Sequence, residues 1–212
     1  MFVDIHTHNK SKYPSIRNLT FPEAERIFNS SEKGLFSVGF HPWFVNEYTP
    51  EIISKLDNWS KDNRFFAIGE CGLDKNSKVT LEKQFQVFKL QILLSEEIKK
   101  PLIIHCVGCF NELLEIKKEL NPTELWIIHG FRGKPELAIQ VLKSGCALSF
   151  GEHFNIESVR ITPVDKLFVE TDESSMSIEA IYRQISDAKQ CDRDELKAGE
   201  QLFLSFLKQF SF

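Results

Sequence analysis

Eight short apolar runs, separated by stretches patterned as amphipathic helices, constrain this chain more than any other feature of it. The runs are FVDI (2–5), SIRNL (15–19), LFSVGF (35–40), FFAIGE (65–70), LIIHC (102–106), ELWIIH (124–129), CALSF (146–150) and KLFVET (166–171). Strands that are apolar throughout need cover on both faces, and strands alternating with helices pair in parallel. The intervening segments carry helix signals. Thr20-Phe21-Pro22-Glu23 reads as a capping box with proline near the helix start, and Thr49-Pro50-Glu51 places a cap before a first-turn proline. From Leu81, the apolar positions Phe85, Phe88 and Ile92 fall on one face of a long helix. Asp192 and Glu195 are expected to cap a last helix whose Leu202, Phe203, Phe206 and Phe210 form its buried stripe.

Eight strand–helix units predict an α/β fold of the (β/α)8 TIM-barrel type. The 212 residues fall short of the typical ~250, so the barrel must be compact. The second unit, between His8 and Leu35, is the most trimmed. A seven-stranded or distorted barrel is the structural alternative. An open doubly wound sheet ranks behind it, because no Gly-rich phosphate loop follows the first run. With no repeat, low-complexity tract or Gly/Ser linker, residues 1–212 read as a single domain.

The net charge of −4 argues against tight non-specific binding to nucleic acid, which draws its affinity from many phosphate contacts. It leaves room for local basic contacts in a cleft. No apolar run approaches the roughly 18 residues of a membrane span, and Met1 leads directly into Phe2-Val3-Asp4 without a signal-peptide pattern. The expectation is a soluble cytoplasmic protein with no membrane partner, and a monomer, since no coiled-coil seam or open strand edge is predicted. Five cysteines form an odd set in a chain too long to need stapling, so they read as free thiols. Cys106 and Cys109 have C-x-x-C spacing but lack the second pair of a zinc ribbon.

Polar residues recur at one place in this pattern. At or just beyond the carboxyl ends of the runs stand Asp4, His6 and His8 for the first, His41 for the third, Glu70 ending the fourth, His105 in the fifth, His129 ending the sixth, and Asp172 after the eighth. In a barrel these strand ends converge on the face where active sites are built. Residues two apart on a strand point the same way, so His6 and His8 make a ready chelate for a divalent cation. Scattered structural histidines have no reason to recur at the same end of successive strands, whereas a metal site assembled from several strands requires it.

The chain resembles the TatD-type metal-dependent hydrolases of the amidohydrolase-like barrels. The resemblance is carried, in family order, by VDIHTH (3–8), GFHP (39–42), AIGECGLD (67–74), the run Gln84, Phe85, Phe88, Gln91, then PLIIHC (101–106), IIHGFRG (127–133) and VETD (169–172). It implies a nuclease that removes nucleotides from DNA 3′ ends with two divalent ions, magnesium, manganese or zinc. It further implies that His6, His8 and Asp172 hold one ion, His105 and His129 the other, and that Glu70 bridges them. His41 matches a family histidine expected to contact the scissile phosphate. On that basis Asp172 is placed to take a proton from the attacking water, Asp4 supports a histidine or the strand end, and Asp74 orients a loop or ligand.

Among basic loop residues, Arg132 is the expected phosphate contact, ahead of Lys10, Lys12, Lys75 and Lys134. His153 reads as a loop histidine without a metal. Trp43 and Phe44, beside His41, are equally consistent with stacking on a base and with packing at a helix start.

Three departures bear on substrate. Val107 stands where the family commonly has a basic residue, Glu173-Ser174 replaces Ala-Pro after the E-T-D motif, and GEQLF (199–203) lacks an asparagine. They leave two alternatives: an amidohydrolase-type enzyme acting on a cyclic amide or lactone, or a metal-binding interaction protein with weakened catalysis. None of the three removes an expected metal ligand.

Overall fold

The computed structural model describes residues 1–209. Its strands are β1 (Asp4–Thr7), β2 (Ser15–Leu19), β3 (Leu35–Val38), β4 (Phe65–Asp74), β5 (Leu102–Val107), β6 (Trp126–Ile128), β7 (Ala147–Phe150) and β8 (Leu167–Val169). The α-helices are α1 (Phe21–Phe28), α2 (Pro50–Ser60), α3 (Leu81–Ile98), α4 (Phe110–Leu120), α5 (Pro135–Lys143), α6 (Ile156–Ile161), α7 (Ile178–Lys189) and α8 (Ala198–Lys208). The strands lie in one sheet in chain order, β1 to β8. Beyond β8, a parallel bridge joins Thr7 to Asp172. Asp172 N donates to the His6 carbonyl (3.0 Å) and His8 N to the Asp172 carbonyl (3.1 Å). Sequential parallel order with the last strand returning to the first is the (β/α)8 topology. The second unit is short but complete, with its capping box at Thr20 and Glu23 formed as expected.

Several expected boundaries shift. Asp4 and His6 lie within β1, and only His8 follows it, because the ladder with β2 starts at Asp4. Glu70 sits in the middle of β4, not at its end. The pairs Cys71 with Ile104, Gly72 with His105 and Asp74 with Val107 carry that strand onward. Asp192 and Glu195 do form a capping box, but it opens a 3-10 turn (Arg193–Glu195), and α8 starts later, at Ala198. The turn stops because Leu196 leaves helical geometry, at φ −82° and ψ 69°. In α8, Phe206 is buried while Leu202 and Phe203 are half-buried. Phe210 lies outside the described residues. Phe85 of α3 is half-buried, and the stripe facing inward holds Gln84, Phe88, Gln91 and Ile92.

The chain divides into two compact units, Met1–Arg17 with Ile127–Phe212, and Asn18–Trp126. In the first, Val3, Ile5, Leu148, Phe150, Ile181 and Tyr182 are buried. Tyr182 Oη donates to the Val3 carbonyl at 3.0 Å and ties α7 to the start of β1. In the second, Phe65, Phe66, Ile68, Phe88 and Trp126 are buried, and Phe28 stacks on Trp59.

Arg64 organises one corner of the second unit. Its guanidinium donates to the carbonyls of Ile27 (3.1 Å), Phe28 (3.2 Å), Ser30 (2.9 Å) and Glu32 (2.8 Å), capping the end of α1. Asp62 receives two further bonds from the same group. Arg64→Met is expected to cost about 2 kcal/mol, since the freed carbonyls are only partly reached by water, and a denaturant midpoint measures it. The hydrogen bond from Arg64 holds the Asp62 carboxyl below its ordinary range. That contribution is therefore present above about pH 4 and lost as pH falls through the lower folded value.

Candidate active site

In the first unit, β1 buries His6 completely and leaves the His8 side chain 35% exposed at the strand's end. Asp172 arrives beyond β8 with φ of 54°. This left-handed conformation is uncommon outside glycine, although aspartate and asparagine tolerate it best. The two backbone hydrogen bonds to β1 hold it there. Asp172 Oδ1 lies 3.6 Å from His6 Nε2 and 3.5 Å from His8 Nε2. Ligands at ~2.0–2.1 Å from one ion, set at tetrahedral angles, stand roughly 3.3–3.4 Å apart. Asp172 Oδ1 thus stands slightly beyond that spacing from each imidazole, and the three donors, all within 4.8 Å of one another, could hold a single cation.

The His129 ring lies 4.4 Å from that of His6, centroid to centroid. Behind it sits Glu170, a residue with no expected role although it belongs to the quoted VETD stretch. Glu170 is fully buried, accepts a 2.6 Å hydrogen bond from Gly130 N, and places Oε1 3.5 Å from His129 Nδ1. A carboxylate at Nδ1 favours the proton there and leaves the Nε2 lone pair for a ligand. The signal for Glu170 was a lone carboxylate two residues before Asp172 in an otherwise apolar run.

Asp4 has a related task. It accepts hydrogen bonds from Thr171 N (3.0 Å) and Thr171 Oγ1 (2.6 Å), which fixes the segment leading into Asp172. Burial pushes its carboxyl up to about 7, against the opposing pull of the Thr171 hydrogen bonds. Of its two expected roles, these bonds match the strand-end one.

The second unit gathers His41, Glu70, Asp74 and His105. His41 Nδ1 accepts from Trp43 N at 3.2 Å. In a neutral ring the proton then sits on Nε2, 3.4 Å from Glu70 Oε1. A nitrogen carrying its proton donates hydrogen bonds; with that proton lost, His41, Glu70 and His105 lie close enough together to hold a cation. His105 lies between two carboxylates, with Nδ1 2.9 Å from Glu70 Oε1 and Nε2 3.1 Å from Asp74 Oδ2. Asp74 also accepts from Asn76 N (2.8 Å) and from the Trp43 indole (2.7 Å), so it is both a turn residue and an orienting group. Burial alone would raise the Asp74 carboxyl, but these hydrogen bonds outweigh it and hold the group below its usual range. Trp43 and Phe44 remain 54% and 55% exposed, so neither is consumed by packing at a helix start.

Two glutamines of α3 position this cluster, and the sequence offered no role for them beyond their place in a motif. Gln91 Oε1 accepts from Phe40 N (2.7 Å) and Gln91 Nε2 donates to the Phe40 carbonyl (3.3 Å). Gln84 likewise accepts from Asp74 N (2.8 Å) and donates to the carbonyls of Asp74 (3.1 Å) and Val79 (2.8 Å). Each amide grips the backbone at or beside a site residue. The available signal was a pair of amides seven apart on a buried helical face.

A model of the TatD related DNase family matches residues 3–198. The chain belongs to this family. An uncharacterized metal-dependent hydrolase of Buchnera aphidicola is 32% identical over 161 residues, covering 72% of this chain and 60% of that protein. The 3′-5′ ssDNA/RNA exonuclease TatD of Erwinia billingiae is 28% identical over 146 residues, covering 64% and 56%. The chain thus spans at most 60% of the length of these two curated relatives. The crystal structure of YJJV, a TatD homologue from Escherichia coli, superimposes with a TM-score of 0.80 at 17% identity, covering 97% of this chain and 95% of that one. Its likeness establishes the fold, a (β/α)8 barrel.

Seen as a TatD-family chain, the departures have defined places. Val107 ends β5 and is 37% exposed. Glu173 borders a cavity of about 220 Å³ that Arg132, Glu170 and Asp172 also line. Arg132 and His153 line a second cavity of about 730 Å³ as well. Lys10, Lys12, Lys75 and Lys134 line neither. All five cysteines are free thiols. No helix among the described residues is long and apolar enough to cross a membrane.

Proposed function

We infer that this TatD-family chain is a metal-dependent phosphodiesterase that removes nucleotides from 3′ ends of single-stranded DNA. The observation that carries this reading is the spacing of His6, His8 and Asp172 for one divalent cation. A second cation is assigned to His105 and His129 with Glu70 as the shared carboxylate, as the family resemblance implies. Divalent ions held there, magnesium, manganese or zinc, would supply Lewis acidity and would make water easier to ionise, toward a pKa of ~7. With Asp172 Oδ1 turned to the imidazoles, Oδ2 accepts the proton of the attacking water. His41 donates from Nε2 to a non-bridging phosphate oxygen, and Arg132 offers a charge-assisted contact to phosphate. The exposed rings of Trp43 and Phe44 provide faces on which an unpaired base can stack. The same reading takes residues 1–212 as one working domain, acting as a cytoplasmic monomer.

Chelation tests it. Treatment with EDTA is expected to remove roughly 95% or more of the hydrolysis of a 5′-labelled single-stranded oligonucleotide, and added Mg²⁺, Mn²⁺ or Zn²⁺ should restore it. Hydrolysis indifferent to chelation would overturn the reading, as would none with any of the three ions in protein shown to bind them. The exposed apolar Val107 favours a second reading, turnover of a cyclic amide or lactone. Activity on such a panel in place of DNA would transfer the assignment to it.

A further inference from the structure

Arg132 is carried on a loop whose backbone is held on both sides. Phe131 N donates to the Ser149 carbonyl at 3.0 Å beneath a buried ring, and Ser158 Oγ donates to the Gly133 carbonyl at 2.7 Å. Both neighbours of Arg132 are thereby fixed, to β7 and to α6. Its guanidinium makes no hydrogen bond or ion pair among the described residues. Glu152, the carboxylate bordering the same two cavities, is engaged by the Ser174 hydroxyl at 2.5 Å. A planar, permanently charged fork carried on a fixed loop suits a phosphate better than a flexible ammonium does.

Its location makes the inference specific. Arg132 stands where the smaller cavity, shared with Asp172, meets the larger one, lined by His153, Phe154 and Gln184. At about 730 Å³ the larger cavity lies within the ~300–1,000 Å³ range of small-ligand sites. Glu152, Glu173 and Asp187 line the same two cavities as Arg132. A polyphosphate backbone running on through the two cavities would meet more carboxylates than cations, and like charges at close range repel. The arrangement accepts one further phosphate and opposes a third.

We propose that Arg132 binds a second phosphate of the substrate, the one adjoining the phosphate that is cut, and that the acidic rim closes the track behind it. This rests on the phosphodiesterase reading above, and it narrows the substrate to short, singly extended ends on this side of the site.

Calorimetric titration of the Mn²⁺-loaded protein tests the assignment with three probes: thymidine 5′-monophosphate, thymidine 3′,5′-bisphosphate, and a phosphorothioate-linked dinucleotide phosphorylated at both ends. The second phosphate is expected to tighten binding about tenfold, and the third to add less than about twofold. In Arg132→Gln the step from mono- to bisphosphate should vanish, and Arg132→Lys should keep part of it. Circular dichroism confirms that both variants fold, as expected of an exposed loop residue. A wild-type protein without the step, a step that survives Arg132→Gln, or an equal gain from the third phosphate overturns the proposal. Because the readout is affinity, failure of the phosphodiesterase reading shows itself separately, as absent turnover with the step intact.

Discussion

Replacing Asp172 by asparagine is expected to lower kcat/KM on a single-stranded DNA end by about 10³-fold while leaving the fold in place. Asparagine keeps the size of the side chain but cannot accept the proton of a nucleophilic water. It also removes a negative charge from a cluster that would hold cations, and general-base removal alone typically costs ~10²–10⁴. The substitution is cleaner than alanine for a backbone reason. Asp172 has φ of 54°, which asparagine tolerates, whereas alanine would add ~1–2 kcal/mol of strain to the lost chemistry. Steady-state kinetics at saturating Mn²⁺ with a matched thermal melt is the measurement. Activity within tenfold of wild type would remove Asp172 from the chemistry.

Gln91→Leu is expected to cost about 3 kcal/mol of stability. The amide is fully buried and serves both the N–H and the carbonyl of Phe40. Leucine matches its bulk but leaves two buried backbone groups without partners, at ~1–3 kcal/mol each. The consequence reaches the site, because Phe40 precedes His41. A displacement of the order of 1 Å in a positioning group can cost up to ~10²-fold in rate, so kcat/KM should fall beyond what the unfolded fraction explains. A chemical denaturation curve run beside kinetics well below the transition separates the two effects. Loss of less than about 1 kcal/mol would show that water or a backbone shift replaces the amide.

These two residues mark what a reader of the sequence can and cannot see. Strand number, helix alternation and the placing of His6, His8, His41, His105, His129 and Asp172 near strand ends follow from periodicity, because side-chain alternation and burial leave direct traces in residue order; Glu70, in mid-strand, is the exception. Strand ends were less legible. β4 runs on to Asp74 because its partner β5 continues, a pairing between residues some 30 apart that no local pattern encodes. Gln84 and Gln91 look like gaps in an apolar stripe until the carbonyls they grip are known. Glu170 is hidden for a similar reason, since its only marks are burial and a contact with a loop forty residues away. The left-handed turn at Asp172 leaves no trace, as aspartate occupies ordinary conformations far more often.

The seam between β1 and the segment after β8 has a consequence for ion size. The hydrogen bonds that join these segments run through the backbone of His6, His8 and Asp172 themselves, so the main chain sets the points from which the three side chains start. On the proposed ligand set, calcium, which seeks 6–8 oxygen ligands at ~2.3–2.6 Å, is a poor match for two imidazoles and one carboxylate. A smaller cation is therefore expected to occupy that set ahead of it.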